Sequence, residues 1–246
     1  MPYSYDERCR LEFQALISRV DHLFVDIDID CPYGLPYVST FHQATFAPLS
    51  DRAMELFLGA GYRRNGNCLY NMRCKNCIAC TPIRLSPSAF KPNRNQKRTV
   101  KKNGDVQNDL LPLKPDIENL ELCEKFLSSR YPKENNSSHG YFRDFFLNNI
   151  VSSAQIQYRV EETLVGTSVI DIGYNWLNAV YFYFDPVESK RSLGTYNIMH
   201  LVDICLEWEL DYLYLGYLID TVPAMSYKRN FKPHFVLRDQ KWQCVT

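Results

Sequence analysis

A mixed α+β fold is predicted by three features of the chain. Residues 154–161, 164–172 and 177–184 read as strands joined by short turns, the pattern of an antiparallel meander. Arg191-Ser192-Leu193-Gly194-Thr195 then opens a helix whose apolar positions Ile198, Leu201, Val202, Cys205 and Leu206 keep the helical period, and a further strand, residues 212–217, follows at once. Upstream, Cys74, Cys77 and Cys80 fall within seven residues flanked by two strand-like segments, 67–72 and 80–85, giving the hairpin-like knuckle on which metal cysteines usually sit. Meander, glycine loop, helix and strand follow the order of an acetyltransferase-like (GNAT) core. The expected architecture is therefore α+β, with that core over residues 111–246 and an N-terminal cysteine-knuckle subdomain over residues 1–110. Fold alone does not give function.

The elements follow in chain order. Phe13, Leu16, Ile17 and Val20 place an apolar stripe on a helix within residues 1–21, and residues 23–30 alternate as a half-exposed strand. Cys31-Pro32-Tyr33-Gly34 reads as a turn. Ser50 caps a helix that Gly61 closes. Residues 92–103 form a basic helix, 115–131 an amphipathic one, 133–140 a polar loop and 141–149 another helix. Beyond residue 217 a short helix near Tyr227 and one or two edge strands complete the chain.

Bulk composition narrows the classes. Seventeen tyrosines and 14% aromatic residues suit half-buried sheet faces and an aromatic-lined groove. The formal net charge is zero, so a polyanion has to be held by a local patch. No apolar run of about twenty residues is present, which excludes a helical membrane span, and Asp6, Glu7, Arg8 and Arg10 interrupt any signal-peptide-like stretch. A cytoplasmic monomer is expected. Nine cysteines, an odd number with three of them crowded together, favour reduced thiols or a metal over a disulfide framework.

Three stretches carry chemistry. Cys74, Cys77 and Cys80 need a fourth ligand, for which Cys31 in its tight turn is the first choice, with Cys68 and His42 behind it; zinc and an iron–sulfur cluster both suit four thiolates. Seven cations lie within residues 84–102 without an acid: Arg84, Lys91, Arg94, Lys97, Arg98, Lys101 and Lys102. Such a run beside a metal knuckle suits nucleic-acid phosphates, and the scarcity of nearby aromatics favours backbone contact over base readout. At the third stretch, the helix start at Gly194 and Thr195 offers backbone N–H groups to an anion. Asp185 precedes it in Phe182-Tyr183-Phe184-Asp185-Pro186.

Taken together, CPYG at Cys31, GYRRNGNCLYNMRCKNCIACTPIRL at Gly61, FKPNRNQKR at Phe90, AVYFYFDP at Ala179, RSLGTYNIM at Arg191, YLYLGYLI at Tyr212 and MSYKRNFKPH at Met225 resemble the aminoacyl-tRNA–protein transferases. Within them the sequence is most similar to the bacterial aspartate/glutamate leucyltransferases, relatives of the eukaryotic arginyltransferases. The resemblance implies transfer of an amino acid from charged tRNA to the α-amine of proteins beginning with Asp or Glu, marking them for degradation. No nucleotide cofactor is implied. The acidic N-terminal segment is longer than the resemblance leads one to expect.

An aminoacyl ester is already activated, so positioning can supply most of the rate. Asp185 is the sequence candidate for orienting or deprotonating the acceptor amine. A carboxylate-reading cation is sought among Arg84, Arg191, Lys228 and Arg229. Arg94, Lys97, Arg98, Lys101 and Lys102 would carry tRNA phosphates, and the terminal adenosine would lie in a cleft lined by Tyr214 and Tyr217. Arginine as the donated residue is the first alternative. A non-catalytic metal-knuckle RNA-binding protein and an acetyl-CoA acyltransferase are the others.

Overall fold

The computed structural model describes residues 4–132 and 136–246. Its elements are α1 (Tyr5–Val20), β1 (Val25–Asp30), β2 (Val38–Thr45), α2 (Asp51–Gly59), β3 (Arg63–Asn65), β4 (Cys68–Met72), β5 (Thr81–Leu85), α3 (Arg94–Lys102), β6 (Val106–Pro112) and α4 (Ile117–Arg130). After these come α5 (Ser138–Tyr141), β7 (Ser153–Val160), β8 (Thr163–Ile172), β9 (Trp176–Phe184), α6 (Leu193–Glu207), β10 (Tyr212–Leu218), α7 (Pro223–Ser226), β11 (His234–Arg238) and β12 (Lys241–Val245).

Two sheets result. The smaller has the order β1-β2-β4-β3 and the larger β12-β11-β5-β10-β9-β8-β7-β6. Within the larger sheet β7, β8 and β9 form the expected antiparallel meander. After α6, β10 lies parallel to β9. A parallel neighbour requires a crossover, and α6 supplies it. The division drawn at residue 110 falls inside β6, and β5 also belongs to the larger sheet.

Alternation along the strands sorts the core. Ile83, Leu85, Leu177, Leu213 and Leu215 face α6, whose Ile198, Leu201, Val202 and Cys205 bury against them. Trp176 and Tyr214 face the other way, onto Met54, Phe57 and Leu58 of α2 and Leu69 of β4. On that face α4 packs Leu122, Cys123, Phe126 and Leu127 against Val169 and Tyr183. Cys123 and Cys205 are fully buried, as small apolar side chains on helix faces. Gly61 ends the α2 turn at φ +89°, where any Cβ would also strike Leu237 and Pro82.

Several expectations change. The segments around the cysteines are strands, but they do not pair as a hairpin: β4 joins β2 and β3, while β5 joins β10 and β11. The cysteine stretch is therefore a bridge between two sheets. Residues 38–45 and 106–112 are strands that the sequence reading passed over. The helix expected over 141–149 reduces to α5 and a single wide turn, Phe142–Phe146. The polar loop expected over 133–140 lies partly outside the described residues, with α5 beginning at Ser138, and the first three residues of the expected N-terminal helix also lie outside. No helix among the described residues is long and apolar enough to cross a membrane.

One buried ion pair fastens the two sheets. Arg64 of β3 donates from Nε to both Asp171 oxygens, at 3.0 and 2.8 Å, and from Nη1 to the carbonyls of Phe145 and Phe146 at 2.9 and 3.1 Å. Ser153 and Asn178 complete the carboxylate's shell at 2.6 and 3.0 Å.

Candidate active site

The site is built on β10. Its sequence alternates tyrosine and leucine, so the leucines enter the α6 core and Tyr212 and Tyr214 look toward the smaller sheet. β10 pairs with β9 only from Tyr212 to Tyr214, and its register with β5 shifts between Tyr214 and Tyr217. Gly216 occupies that irregularity at φ +77°, a conformation glycine takes without a Cβ penalty. The strand thus parts from β9 at Tyr214.

Three cations gather along it. Arg84 stands opposite Tyr214 in the ladder and is 2% exposed. Its guanidinium stacks on Tyr212 and Trp242 at 3.8 and 4.2 Å and donates to both oxygens of Asp6 at 2.8 and 2.7 Å. Arg63, 5% exposed, donates to the carbonyls of Tyr62 and Gly216 at 2.6 and 2.9 Å. It lies 5.4 Å from the Tyr217 ring and 5.9 Å from Tyr214, and no carboxylate pairs with it among the described residues. Lys228 donates to the Tyr217 carbonyl at 2.9 Å, with Met225 Sδ at 3.8 Å. Its stem is partly exposed but its ammonium is enclosed, and burial, helped by the charge of Arg63, pushes it down to about 7.

Tyrosines wall this row. Tyr70 of β4 meets Tyr217 edge to face at 6.4 Å. Tyr33, from the Cys31–Gly34 turn, is driven well up by burial and then by Tyr70, Cys80, Tyr217 and Cys31. Segments widely separated in sequence, CPYG, GYRRNG, YNMRC, YLYLGY and MSYKR, therefore meet at one place.

The other candidates are distributed differently. Arg191 is held by Asp105 at 2.8 and 2.9 Å and by Glu188, and Arg229 by Asp220 at 3.0 Å, so both already have carboxylate partners. Asp185 accepts the Val187 N–H at 2.9 Å and the Lys125 ammonium at 2.7 Å, fixing the turn that leads to α6. Gly194 and Thr195 form the first turn of α6, whose Ser192 adopts φ +56° and makes no side-chain cap. Gly194 also approaches Tyr227.

Arg94, Lys97, Arg98, Lys101 and Lys102 are exposed on α3, which Asn93 and Gln96 cap reciprocally. None pairs with a carboxylate among the described residues. The helix ends against the α6 entrance, where Lys102 and Asn103 donate to the carbonyls of Lys190 and Arg191 at 2.6 and 2.9 Å.

Cys31, Cys74 and Cys77 lie within electrostatic reach of Cys80: burial first, then Cys74, Cys31 and Cys77, push the Cys80 thiol up to about 12. Four half-buried thiols are a donor set suited to zinc or an iron–sulfur cluster. Among the described residues, however, no three His, Cys, Asp or Glu side chains converge in a geometry ready for a metal. Sequence reasoning passed over Arg63 and Asp6. The paired arginines after Gly61 gave a signal for Arg63, since adjacent strand side chains point to opposite faces and one of the two then meets the core wherever only one face is solvated.

The Arginine-tRNA-protein transferase family matches by its N terminus over residues 29–98 and by its C terminus over 118–238. An aspartate/glutamate leucyltransferase of Thiobacillus denitrificans is 33% identical over 225 residues, covering 90% of this chain and 94% of its own. One from Pseudomonas fluorescens is 35% identical over 225 residues, covering 84% and 94%. Among solved structures, the C-terminal domain of a putative lysylphosphatidylglycerol synthetase from Agrobacterium fabrum aligns at TM-score 0.46 and 9% identity, covering 92% of this chain and 83% of that one. With the paired family matches and relatives alike over nearly their whole length, the chain belongs to the arginine-tRNA-protein transferase family, alongside the aspartate/glutamate leucyltransferases.

Proposed function

We propose that this protein transfers leucine from charged tRNA to the α-amine of polypeptides beginning with Asp or Glu. The observation that carries the reading is the row of buried cations along β10, beside tyrosines, in a chain of this family. An anionic acceptor residue matches that row. The acetyltransferase-like order of meander, α6 and β10 gives the acyl-transfer frame, with β10 parting from β9 where a reacting amine and ester could meet.

Amine attack on an ester needs orientation and removal of one proton. Lys228 is our candidate for that base, because an ammonium lowered to about 7 is substantially neutral at neutral pH. Asp185 would act indirectly, through the turn it holds before α6. Incubation with leucyl-tRNA and an Asp-first peptide should extend the peptide by one leucine. Arginine incorporation in its place would redirect the donor assignment, and tRNA binding without extension would favour a non-catalytic RNA-binding role.

The tRNA would lie along α3, leading its 3′ end to the α6 entrance. Replacing Arg94 and Arg98 by alanine should weaken tRNA binding and flatten the slope of log K against log salt by about one to two. An unchanged slope would remove these residues from the interface.

The four cysteines are proposed as a zinc or iron–sulfur site that ties the Cys31 turn to the bridge between the sheets. Such a group would supply structure and no reaction step. Elemental analysis should find about one zinc per chain or the iron of a cluster; neither above background would leave the clamp to packing alone.

A further inference from the structure

Arg84 is the one cation of the row that pairs with a carboxylate among the described residues, and that carboxylate comes from outside the core. Arg64, equally buried, is matched by Asp171 from within the larger sheet. Arg84 is matched by Asp6, on the first turn of α1, and the two partners differ in exposure: 3% for the Arg84 side chain and 39% for that of Asp6. The arginine belongs to the interior, while the carboxylate is a removable visitor.

The helix that brings it lies on the surface of the body. No residue of α1 is buried; its remaining polar anchors are Arg52, which bonds Tyr5, Cys9 and Glu12 at 3.2, 3.5 and 2.9 Å, and the Tyr5 hydroxyl, which donates to Glu55 and accepts from Asn175 at 3.1 Å. Phe13, Leu16, Ile17 and Val20 pack half-buried on the core beneath. Between α1 and the body lies a cleft of about 720 Å³ lined by Arg84, Asp6, Arg73, Tyr214, Lys241 and Trp242 among others. Cavities of about 300–1,000 Å³ are the usual size of ligand sites.

Inside this cleft Arg84 keeps Nε without a partner, although the side chain is almost wholly buried. A buried arginine stripped of its carboxylate is strongly disfavoured, so the pocket selects for a replacement carboxylate whenever Asp6 departs. The aromatic walls on both faces of the guanidinium fix its plane for a two-pronged partner. The Tyr214 ring, which lines the cleft, lies 6.0 Å from Arg84 and 5.9 Å from Arg63, so one side chain links the cleft to the row that ends at Lys228.

We infer that the Arg84 pocket is a carboxylate subsite which Asp6 fills in cis and the acidic residue of an incoming polypeptide N-terminus fills in trans. α1 is then a built-in competitor of the acceptor. This rests on the transferase reading of the site. It also gives the acidic N-terminal segment, which precedes the family match at residue 29, a task in the reaction.

The test is binding without tRNA. An Asp-first peptide with an amidated C terminus and its Asn-first counterpart are titrated into the full chain, followed by tryptophan fluorescence, since Trp242 stacks on Arg84. If Asp6 occupies the pocket about nine-tenths of the time, Asp6→Asn tightens the Asp-first peptide about tenfold. The Asn-first peptide should not respond. Arg84→Lys, which keeps a cation beneath Trp242, should weaken the Asp-first peptide and abolish the gain from Asp6→Asn. Equal effects on both peptides, or none on either, would overturn the subsite. Peptide extension is scored separately, with leucyl- and arginyl-tRNA both offered: tighter Asp-first binding without transfer of either amino acid would sink the transferase reading and leave the subsite standing.

Discussion

Replacing Asp171 by asparagine is expected to cost the fold about 3–5 kcal/mol, the range for breaking a buried ion pair from one side. Both side chains are fully buried, and Arg64 has committed its guanidinium to Asp171, Ser153 and the carbonyls of Phe145 and Phe146. An amide of the same shape preserves volume but leaves a guanidinium charge in the interior with no counter-charge. That penalty exceeds any lost packing. It should appear as a lower denaturant midpoint at unchanged slope, because the surface exposed on unfolding hardly changes. Arg64→Met combined with Asp171→Leu should recover much of the loss, since removing both charges removes the uncompensated one. A midpoint unchanged in the Asp171→Asn protein would mean that the pair does not fasten β3 to the larger sheet.

The elements with strong local signals were legible. The meander, α6 and β10 follow from periodicity, and the Ser50 cap and Gly61 stop bracket α2 as expected. What escaped depended on distant partners. β6 reads Val-Gln-Asn-Asp-Leu-Leu-Pro, a poor strand by composition, and is extended because β7 offers it a full ladder. Strands β4 and β5 were read correctly but paired wrongly, since sequence proximity favours a hairpin while their partners lie in different sheets.

The site was legible as residue types and not as an arrangement. Arg84, Lys228, Tyr214 and Tyr217 were named and are brought to one strand. Choosing among four candidate cations needed the knowledge that Arg191 and Arg229 have acids of their own nearby in space. Asp6 could not be linked to Arg84 across 78 residues by any pattern. Nor could spacing reveal that Lys228 would be enclosed against Arg63, which is a property of the fold.

Replacing Lys228 by methionine should lower turnover on an Asp-first peptide by about 100-fold or more, the usual contribution of a positioned base. Methionine keeps an unbranched chain in the enclosed space and loses only the proton acceptor. The pH dependence makes the assignment specific. Lys228 in the folded protein titrates at about 7, so its neutral form grows as pH rises through 7. The acceptor amine, unperturbed near about 7.7–8.0, must also be neutral to attack. Two protons must therefore leave, and log kcat/KM should rise with a slope of about two at low pH and of about one in the variant. Stability gives an independent readout. The ammonium is lowered from 10.5 to about 7 on folding, so between those values the unfolded chain holds the extra proton and the fold gains stability as pH rises. Lys228→Met should remove that gain. A variant that loses the stability gradient but keeps the slope of two would make Lys228 a buried structural amine and return the search for the base to the turn held by Asp185.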